Sequence, residues 1–204
     1  MIEHCRAVCN ATSLPVSADL ENGFATEPSE VAKTIAMAAE TGVVGGSIED
    51  YTGDPASPIY PFQLAVERVQ AAVEAAQSLA FPFTLTARAE NLLRASYDLD
   101  ATIRRLQAFE AAGAHVLYAP GIKTLEDLRI VTGAVSKPVN VLAASLKNET
   151  VESLADTGAK RISIGGALGN AAMATLLKAG KEMREEGHFK WMSKTQVDID
   201  QMLA

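Results

Sequence analysis

Acidic side chains stand at the ends of two apolar runs near the start of the chain. The stretch from Leu14 to Ala25, LPVSADLENGFA, delivers Asp19 and Glu21 after its apolar residues, and Glu49 follows the run VVGGSI in the same way. Bare charges are costly inside a strand, so these carboxylates are expected where strands end. Hard divalent cations prefer oxygen ligands. The pattern predicts a Mg²⁺ site, with Mn²⁺ as the alternative metal, formed by Asp19, Glu21 and Glu49; in the competing interpretation these carboxylates cap helices or solvate turns.

Arg88 and Asn140 are the candidate residues for binding a substrate. Arg88 follows the strand-like residues 84–87, TLTA, which carry no charge. A guanidinium there can clamp a carboxylate or phosphonate through two parallel hydrogen bonds, and the alternative is a buried ion pair with Glu90 or Glu49. Asn140 lies within the apolar run PVNV and either orients a substrate oxygen or satisfies the neighbouring backbone.

A long loop follows Glu49 directly. Residues 51–61, YTGDPASPIYP, are rich in proline and carry no periodic apolar pattern. Loops of this length in compact domains often serve as lids or binding loops. We therefore expect this segment to border the site.

Six short β-like runs must position these side chains. They are rich in Val, Ile, Leu and Ala without strict alternation, which is typical of parallel strands buried on both faces. The predicted strands are Val16–Ala18, Val43–Ile48, Phe83–Ala87, His115–Tyr118, Val139–Ala143 and Arg161–Ile164.

Amphipathic helical segments separate the runs. The phrases AETGVVGG, EAAGAHVL and ADTGAKRI repeat one order, in which a helix ends at glycine and the next strand follows. Six βα units are visible, which suits a doubly wound sheet or part of an eight-stranded barrel. No G-x-G-x-x-G fingerprint follows the first strand. Polar residues instead cluster at strand ends, which favours a (β/α)8-type TIM barrel with its active site at the mouth.

The predicted organisation is a single, partial barrel domain over residues 1–204, with a helical tail from about residue 187. A barrel needs two more βα units than are visible, and we expect them to be missing before the first strand. Unpaired edges would then favour self-association or poor solubility.

Composition excludes several classes of function. The 204 residues are 48% hydrophobic and 21% charged, as in ordinary soluble globular proteins. A net charge of -7 without a Lys/Arg cluster indicates neither a nucleic-acid nor a membrane partner. Cys5 and Cys9 are best interpreted as a reduced pair. The apolar stretches fall short of the roughly 20 residues that span a bilayer, so we expect a cytoplasmic protein.

The motifs SADLENGF, GGSIEDYTGD, LTARAEN, AHVLYAPG, KPVNVLA and KRISIGGAL together resemble the isocitrate lyase/phosphoenolpyruvate mutase superfamily, in order, over residues 1 to 186. The resemblance implies a modified β/α barrel whose C-terminal helix is often swapped within dimers or tetramers. It also implies cleavage or formation of a C–C or P–C bond beside a small 2-oxo acid or phosphonate substrate.

The resemblance assigns roles to the candidate residues. Asp19 matches the aspartate that binds Mg²⁺ directly, and Glu21 matches an acid that reaches the metal through water. Glu49, in the I-E-D motif, matches a further metal-shell residue and is assigned a catalytic role. Arg88 matches the arginine that holds the carboxylate or phosphonate and is assigned both catalytic and substrate-binding roles. Asn140, and Ser17 at the start of SADLENGF, are assigned to substrate binding.

Departures from the family pattern narrow the expected reaction. The loop YTGDPASP lacks the lysine and cysteine of the K-[KR]-C-G-H motif, so isocitrate and methylisocitrate lyase activity proper are not expected. It also lacks the gating-loop residues of the mutase, and Ala119-Pro120 stands where the mutase has histidine. The expected function is a Mg²⁺-dependent C–C lyase acting through an enolate-like intermediate. The alternatives are a C–P bond enzyme of the phosphonomutase or phosphonopyruvate hydrolase kind, or an inactive, truncated barrel.

Overall fold

Six parallel strands form one sheet whose spatial order follows the sequence, and the sheet curls into a half-barrel. The computed structural model describes residues 1–194. All six predicted strands are present, with bounds that differ by two residues at most. The strands are β1 (Ser17–Asp19), β2 (Gly45–Glu49), β3 (Thr84–Arg88), β4 (Val116–Tyr118), β5 (Val139–Leu142) and β6 (Arg161–Ser163).

Helices alternate with the strands, as the repeated phrases predict. No α-helix in residues 1–194 combines the length and the apolar character needed to cross a membrane. The α-helices are α1 (Ile2–Asn10), α2 (Pro28–Ala39), α3 (Phe62–Gln77), α4 (Asn91–Arg94), α5 (Leu99–Ala111), α6 (Leu125–Gly133), α7 (Val151–Ala155) and α8 (Ala167–Lys181).

Local chemistry fixes where several helices begin and end. Asp98 caps α5 by accepting a hydrogen bond from the Ala101 N–H at 2.8 Å, and Thr124 caps α6 in the same way. Gly113, between α5 and β4, has a φ of 100°, a left-handed conformation that favours glycine. A Cβ at Gly113 would also lie 2.9 Å from a methyl group of Val73. The glycine therefore permits both the reversal of the chain and its close approach to α3.

The main core lies between the sheet and the helices on its outer face. Its members are buried, apolar and drawn from nearly every element, so each helix is oriented by the stripe that it presents to the sheet. The most deeply buried large apolar residues include Leu20, Val31, Ile35, Ile48, Leu85, Leu106, Phe109, Leu117, Leu128 and Leu154.

The chain divides into two compact units, residues 1–163 and the segment from Ile164 onward. The first unit contains all six strands and every predicted site residue. The second contains α8, a π-helical turn over Glu182–Glu186 and a 3₁₀ segment over Lys190–Lys194. The predicted helical tail from about residue 187 falls partly on this segment and partly beyond the described residues. The single-domain organisation stays a prediction.

Candidate active site

The site residues occupy the carboxyl ends of adjacent strands. Asp19, Glu49, Arg88 and Tyr118 are the last residues of β1, β2, β3 and β4. The register places Glu49 beside Arg88, Arg88 beside Tyr118, and Tyr118 beside Asn140 of β5. A row of polar side chains therefore crosses four strands at one level of the sheet, on the edge where β/α barrels carry their active sites.

Arg88 is the centre of this row. Its Nη1 lies 2.8 Å from Asp19 Oδ2, and its Nη2 lies 3.0 Å from Glu49 Oε2 and 2.7 Å from Glu90 Oε1. Its Nε donates a second hydrogen bond to Glu90 Oε1 at 3.0 Å. The guanidinium also lies 5.1 Å from the centroid of the Tyr118 ring. The structure thus forms the ion pairs with Glu90 and Glu49 that the sequence offered as the alternative to a substrate clamp.

The three acids around Arg88 differ in their exposure. The side chain of Asp19 is 62% exposed, whereas that of Glu49 is 7% exposed and that of Glu90 is fully buried. Asp19 Oδ1 accepts hydrogen bonds from Ser47 Oγ at 3.0 Å and from the Glu21 N–H at 3.2 Å. Asp19 is therefore the member of the cluster that solvent, a cation or a ligand reaches first.

Glu21 joins the site through its backbone. Its φ of 48° is left-handed, and its carbonyl accepts a hydrogen bond from the Glu49 N–H at 2.9 Å. Its side chain is exposed and makes no hydrogen bond or ion pair with residues 1–194. The turn after β1 is thus fixed to the end of β2, and the Glu21 carboxylate is left exposed to solvent.

Burial and the proximity of like charges change the pKa values of the side chains in this cluster. Desolvation, with smaller contributions from the charges of Glu90 and Asp19, raises the pKa of Glu49 to about 7 against the opposing effect of Arg88. Burial by itself lowers the pKa of Arg88, but Glu90, Glu49 and Asp19 reverse that effect and raise it. Arg94, whose Nε lies 3.5 Å from Glu90 Oε2, also opposes the rise in the pKa of Glu49. When all three acids are ionised, they exceed the two arginines by one negative charge, and the raised pKa of Glu49 reflects its burial and that excess.

Asp50 anchors the cluster from behind. Its Oδ1 accepts a hydrogen bond from the Glu90 N–H at 2.7 Å, and its Oδ2 lies 3.1 Å from Arg105 Nη1. Desolvation raises the pKa of Asp50 to about 6, against the lowering effects of the Glu90 N–H and of Arg105. Arg105 also donates to the Tyr60 carbonyl at 3.1 Å, which ties the end of the 51–61 loop to the same anchor.

The 51–61 loop lies beside the site as predicted, and it is held by its own hydrogen bonds. Thr52 donates from its N–H to the Pro58 carbonyl at 2.8 Å and from its hydroxyl to the Ser57 carbonyl at 2.7 Å. Asn22 Nδ2 donates to the Thr52 carbonyl at 3.2 Å, which links the loop to the turn after β1. This geometry suits a binding loop that is shaped before a ligand arrives.

A buried arginine on α3 supports the turn after β1, and the sequence analysis missed it. Arg68 is 1% exposed and donates hydrogen bonds to the carbonyls of Asn22, Ala25 and Thr26. Its guanidinium stacks 4.1 Å from the centroid of the Tyr60 ring. The available signal was its helical spacing from Ala65 and Ala72, which places it on the buried stripe.

Asn140 belongs to the row but makes no hydrogen bond to the acids, and Ser17 lies at the other end of β1. Asn140 is 1% exposed; its Nδ2 donates to Ser163 Oγ at 2.9 Å, while its Oδ1 has no hydrogen-bond partner in residues 1–194. Ser17 begins β1, at the opposite end of that strand from the mouth, and lines a pocket with Thr84 and Arg161. Their assignment to substrate binding stays a prediction, and the structure does not bring Ser17 to the other candidates.

The acids form no ready-made metal cage. Within residues 1–194, no three or more His, Cys, Asp or Glu side chains are arranged to hold an ion, because Arg88 stands between Asp19 and Glu49. The donors nevertheless fit a hard divalent cation: they are all carboxylate oxygens, and their negative charge is incompletely balanced. Glu90 Oε2 is buried without a hydrogen bond. Asp19 and Glu49 are the residues that would hold the cation.

One protein-family model matches most of the chain. Residues 1–184 match the family model of phosphoenolpyruvate phosphomutase. The chain belongs to the phosphoenolpyruvate phosphomutase family. The resemblance to the isocitrate lyase/phosphoenolpyruvate mutase superfamily and the TIM-barrel-like α/β fold are thereby confirmed.

Curated relatives of this family member include lyases and decarboxylases. A 2-methylisocitrate lyase of Escherichia coli is 33% identical over 140 residues, which cover 66% of this chain and 46% of the relative. An oxaloacetate decarboxylase of Bradyrhizobium diazoefficiens is 28% identical over 144 residues, which cover 68% and 48%. The match thus spans about half the length of these relatives.

Solved structures of the family are similar over most of the chain. A Burkholderia cenocepacia J2315 protein provisionally assigned as a lyase/mutase has 50% identity and a TM-score of 0.92, covering 100% of this chain and 74% of that one. A second protein from the same organism, provisionally assigned as a phosphonomutase, has 34% identity and a TM-score of 0.83, covering 89% and 76%. The names of the similar proteins thus include lyases, decarboxylases and a provisionally assigned phosphonomutase.

Proposed function

We propose that this chain is a Mg²⁺-dependent lyase-type enzyme that cleaves or forms a C–C bond beside a small 2-oxo or 2-hydroxy carboxylate. The observation that carries the proposal is the convergence of Asp19, Glu49 and Arg88 from three adjacent strand ends, with negative charge in excess. When bound, the cation would stabilise negative charge on the oxygen of an enolate-like intermediate. Mn²⁺ is the expected substitute.

Arg88 supplies the second electrophilic group. Its Nε and Nη2 are held by buried Glu90, while its Nη1 is held by exposed Asp19. A substrate carboxylate would replace Asp19 at Nη1 and leave the bonds to Glu90 in place. Asp19 would then be free to hold the cation. In this exchange Arg88 would bind the substrate carboxylate through Nη1, a narrower contact than the two-point clamp that the sequence predicts.

The loop sequence argues against one C–C reaction of the similar proteins. Residues 51–58, YTGDPASP, contain neither cysteine nor lysine, so this loop has no thiol to move a proton. The proposed reaction is therefore not that of methylisocitrate lyase proper, even though a curated relative carries that name.

A C–P bond reaction is the second candidate, and the 34% identity to the protein provisionally assigned as a phosphonomutase favours it. The guanidinium that would clamp a carboxylate suits a phosphonate equally well. An inactive, binding-only barrel remains the alternative outside enzyme chemistry.

One assay separates these candidates. Oxaloacetate, 2,3-dimethylmalate and phosphonopyruvate would each release pyruvate on cleavage, which a coupled dehydrogenase detects, and only phosphonopyruvate would release phosphate. Mg²⁺-dependent pyruvate without phosphate supports the proposal. Phosphate release selects the C–P alternative. Failure to consume any of the three substrates, with or without Mg²⁺, contradicts the proposed enzyme.

Location and assembly belong to the same proposal. The free thiols of Cys5 and Cys9 support a reducing, cytoplasmic location. Exposed apolar residues on α8, among them Leu168, Leu176 and Leu177, support a homo-oligomer, either a dimer or a tetramer. The proposed partners are a small acid substrate and other copies of the chain.

A further inference from the structure

A second arginine stands at the same mouth and has no role in the mechanism above. Arg94 ends α4, the single helical turn that follows β3 and Glu90. Its Nε lies 3.5 Å from Glu90 Oε2, and its guanidinium lies 4.6 Å from the centroid of the Tyr51 ring. Glu90 therefore faces Arg88 with one carboxylate oxygen and Arg94 with the other.

The two arginines differ in their exposure and in the number of hydrogen-bond donors that remain available to a ligand. The Arg88 side chain is 12% exposed, and three carboxylates surround it. The Arg94 side chain is 44% exposed, and its two terminal nitrogens make no hydrogen bond within residues 1–194. A planar guanidinium with both terminal nitrogens free can bind a carboxylate through two hydrogen bonds.

The turn that carries Arg94 is firmly anchored. Leu92 is 7% exposed, and Asn91 Nδ2 donates to Thr102 Oγ1 at 2.8 Å and to the Asp98 carbonyl at 3.1 Å. The Cβ position of Gly121 lies 3.1 Å from the backbone of this turn, so the next loop packs closely against it. Arg94 is thus presented from a fixed backbone, and Tyr51 and Glu90 restrict its side chain further.

We propose that Arg94, stacked on Tyr51, binds the distal carboxylate of a dicarboxylic 2-oxo or 2-hydroxy acid whose reacting end lies at Asp19, Glu49 and Arg88. The inference rests on the proposed function, because it places the far end of that substrate. Tyr51 belongs to the 51–61 loop, so one contact both orients the arginine and makes the loop part of the specificity pocket. In the alternative, Arg94 only holds this loop in place through its contact with Tyr51 and binds no substrate.

The test uses two ligands that differ only in the distal carboxylate. Binding of L-malate and of L-lactate to the full chain would be measured by calorimetry with Mg²⁺ present, together with oxalate as a probe of the reacting end. The variants are Arg94→Gln and Arg94→Lys. The matched control is Arg104→Gln, since Arg104 is exposed on α5 and makes no described contact.

We expect Arg94→Gln to weaken malate binding roughly 10- to 100-fold and to leave lactate and oxalate binding within about twofold of the wild type. Arg94→Lys keeps the charge without the two-point geometry, so its malate affinity should lie between those of Arg94→Gln and the wild type. Tyr51→Phe retains the ring and should retain malate affinity, whereas Tyr51→Leu should reduce it. Arg104→Gln should change nothing.

Three other outcomes would contradict the inference. If Arg94→Gln leaves malate binding unchanged, or weakens malate and lactate equally, Arg94 only ties the loop and the proposed function stands. If both Arg94 variants fail to fold by circular dichroism, the residue is structural. If the wild type binds none of malate, lactate and oxalate, the proposed function itself fails, and this inference fails with it.

Discussion

Arg88 Nη1 lies 2.8 Å from Asp19 Oδ2, although 69 residues separate the two along the chain. The contact joins the ends of β1 and β3 across β2, whose last residue, Glu49, binds the same guanidinium. Asp19 is the exposed partner and Glu49 the buried one. The guanidinium therefore has one exchangeable partner, Asp19, and one fixed partner, Glu49.

Arg88→Lys should weaken oxalate binding in Mg²⁺ by roughly 10- to 100-fold, because an ammonium group cannot keep the two bonds to Glu90 that Nε and Nη2 make while it presents a third nitrogen to the ligand. Calorimetry on a variant with wild-type circular dichroism would measure this. Arg105→Lys is the matched control, since Arg105 pairs with buried Asp50 behind the cluster. If Arg88→Lys has a lower melting temperature than the wild type but the same oxalate affinity, Arg88 serves only as a structural ion-pair residue.

Glu49→Gln should change how stability depends on pH when EDTA is present. The pKa of Glu49 is raised from 4.5 to about 7 by burial. Its protonated form therefore stabilises the folded state below about pH 4.5, and this contribution is lost as the pH rises through 7. The substituted glutamine side chain stays neutral at every pH, so the variant should gain about 1 to 3 kcal/mol relative to the wild type as the pH rises between those values.

Urea unfolding at pH 4.5, 6 and 8 would measure the Glu49 effect. Glu152→Gln, on the exposed first turn of α7, provides the control and should show no such pH-dependent difference. A stability difference between Glu49→Gln and the wild type that stays constant across the range would contradict the raised pKa.

Arg68→Met should lower the free energy of unfolding by about 2 to 4 kcal/mol, because the carbonyls of Asn22, Ala25 and Thr26 lose their buried donor. Chemical denaturation would show the loss. Gln70→Ala, on the exposed face of the same helix, should change stability by less than about 0.5 kcal/mol. Equal stability of the two variants would show that Arg68 does not support the turn after β1.

The sequence predicts the strands well because their signals are local. Apolar runs and the glycines that end helices, such as Gly113, lie within a few residues of the elements that they define. The strand ends shift because backbone pairing extends β1, β2 and β3 through Asp19, Glu49 and Arg88, which the pattern placed just beyond the strands.

The site is predicted less completely because its contacts are distant in sequence. The pattern indicates that Asp19, Glu49 and Arg88 share a mouth, but it leaves open whether the arginine faces a substrate or the acids. Nothing local shows that Glu90 would stand between two arginines. The residue type of Arg68 predicts an exposed side chain, and only its position on the buried stripe of α3 indicates that it is buried.

Binding of oxalate, a planar mimic of the enolate of pyruvate, with and without Mg²⁺ tests the central claim most directly. We predict that calorimetry will detect oxalate binding to the wild type only when Mg²⁺ is present. Asp19→Asn should abolish that dependence by removing a carboxylate that holds the cation, while Asp100→Asn, at an exposed position on α5, should behave as the wild type. Equal oxalate affinity in Mg²⁺ and in EDTA, or unchanged Mg²⁺-dependent binding in folded Asp19→Asn, would contradict the account.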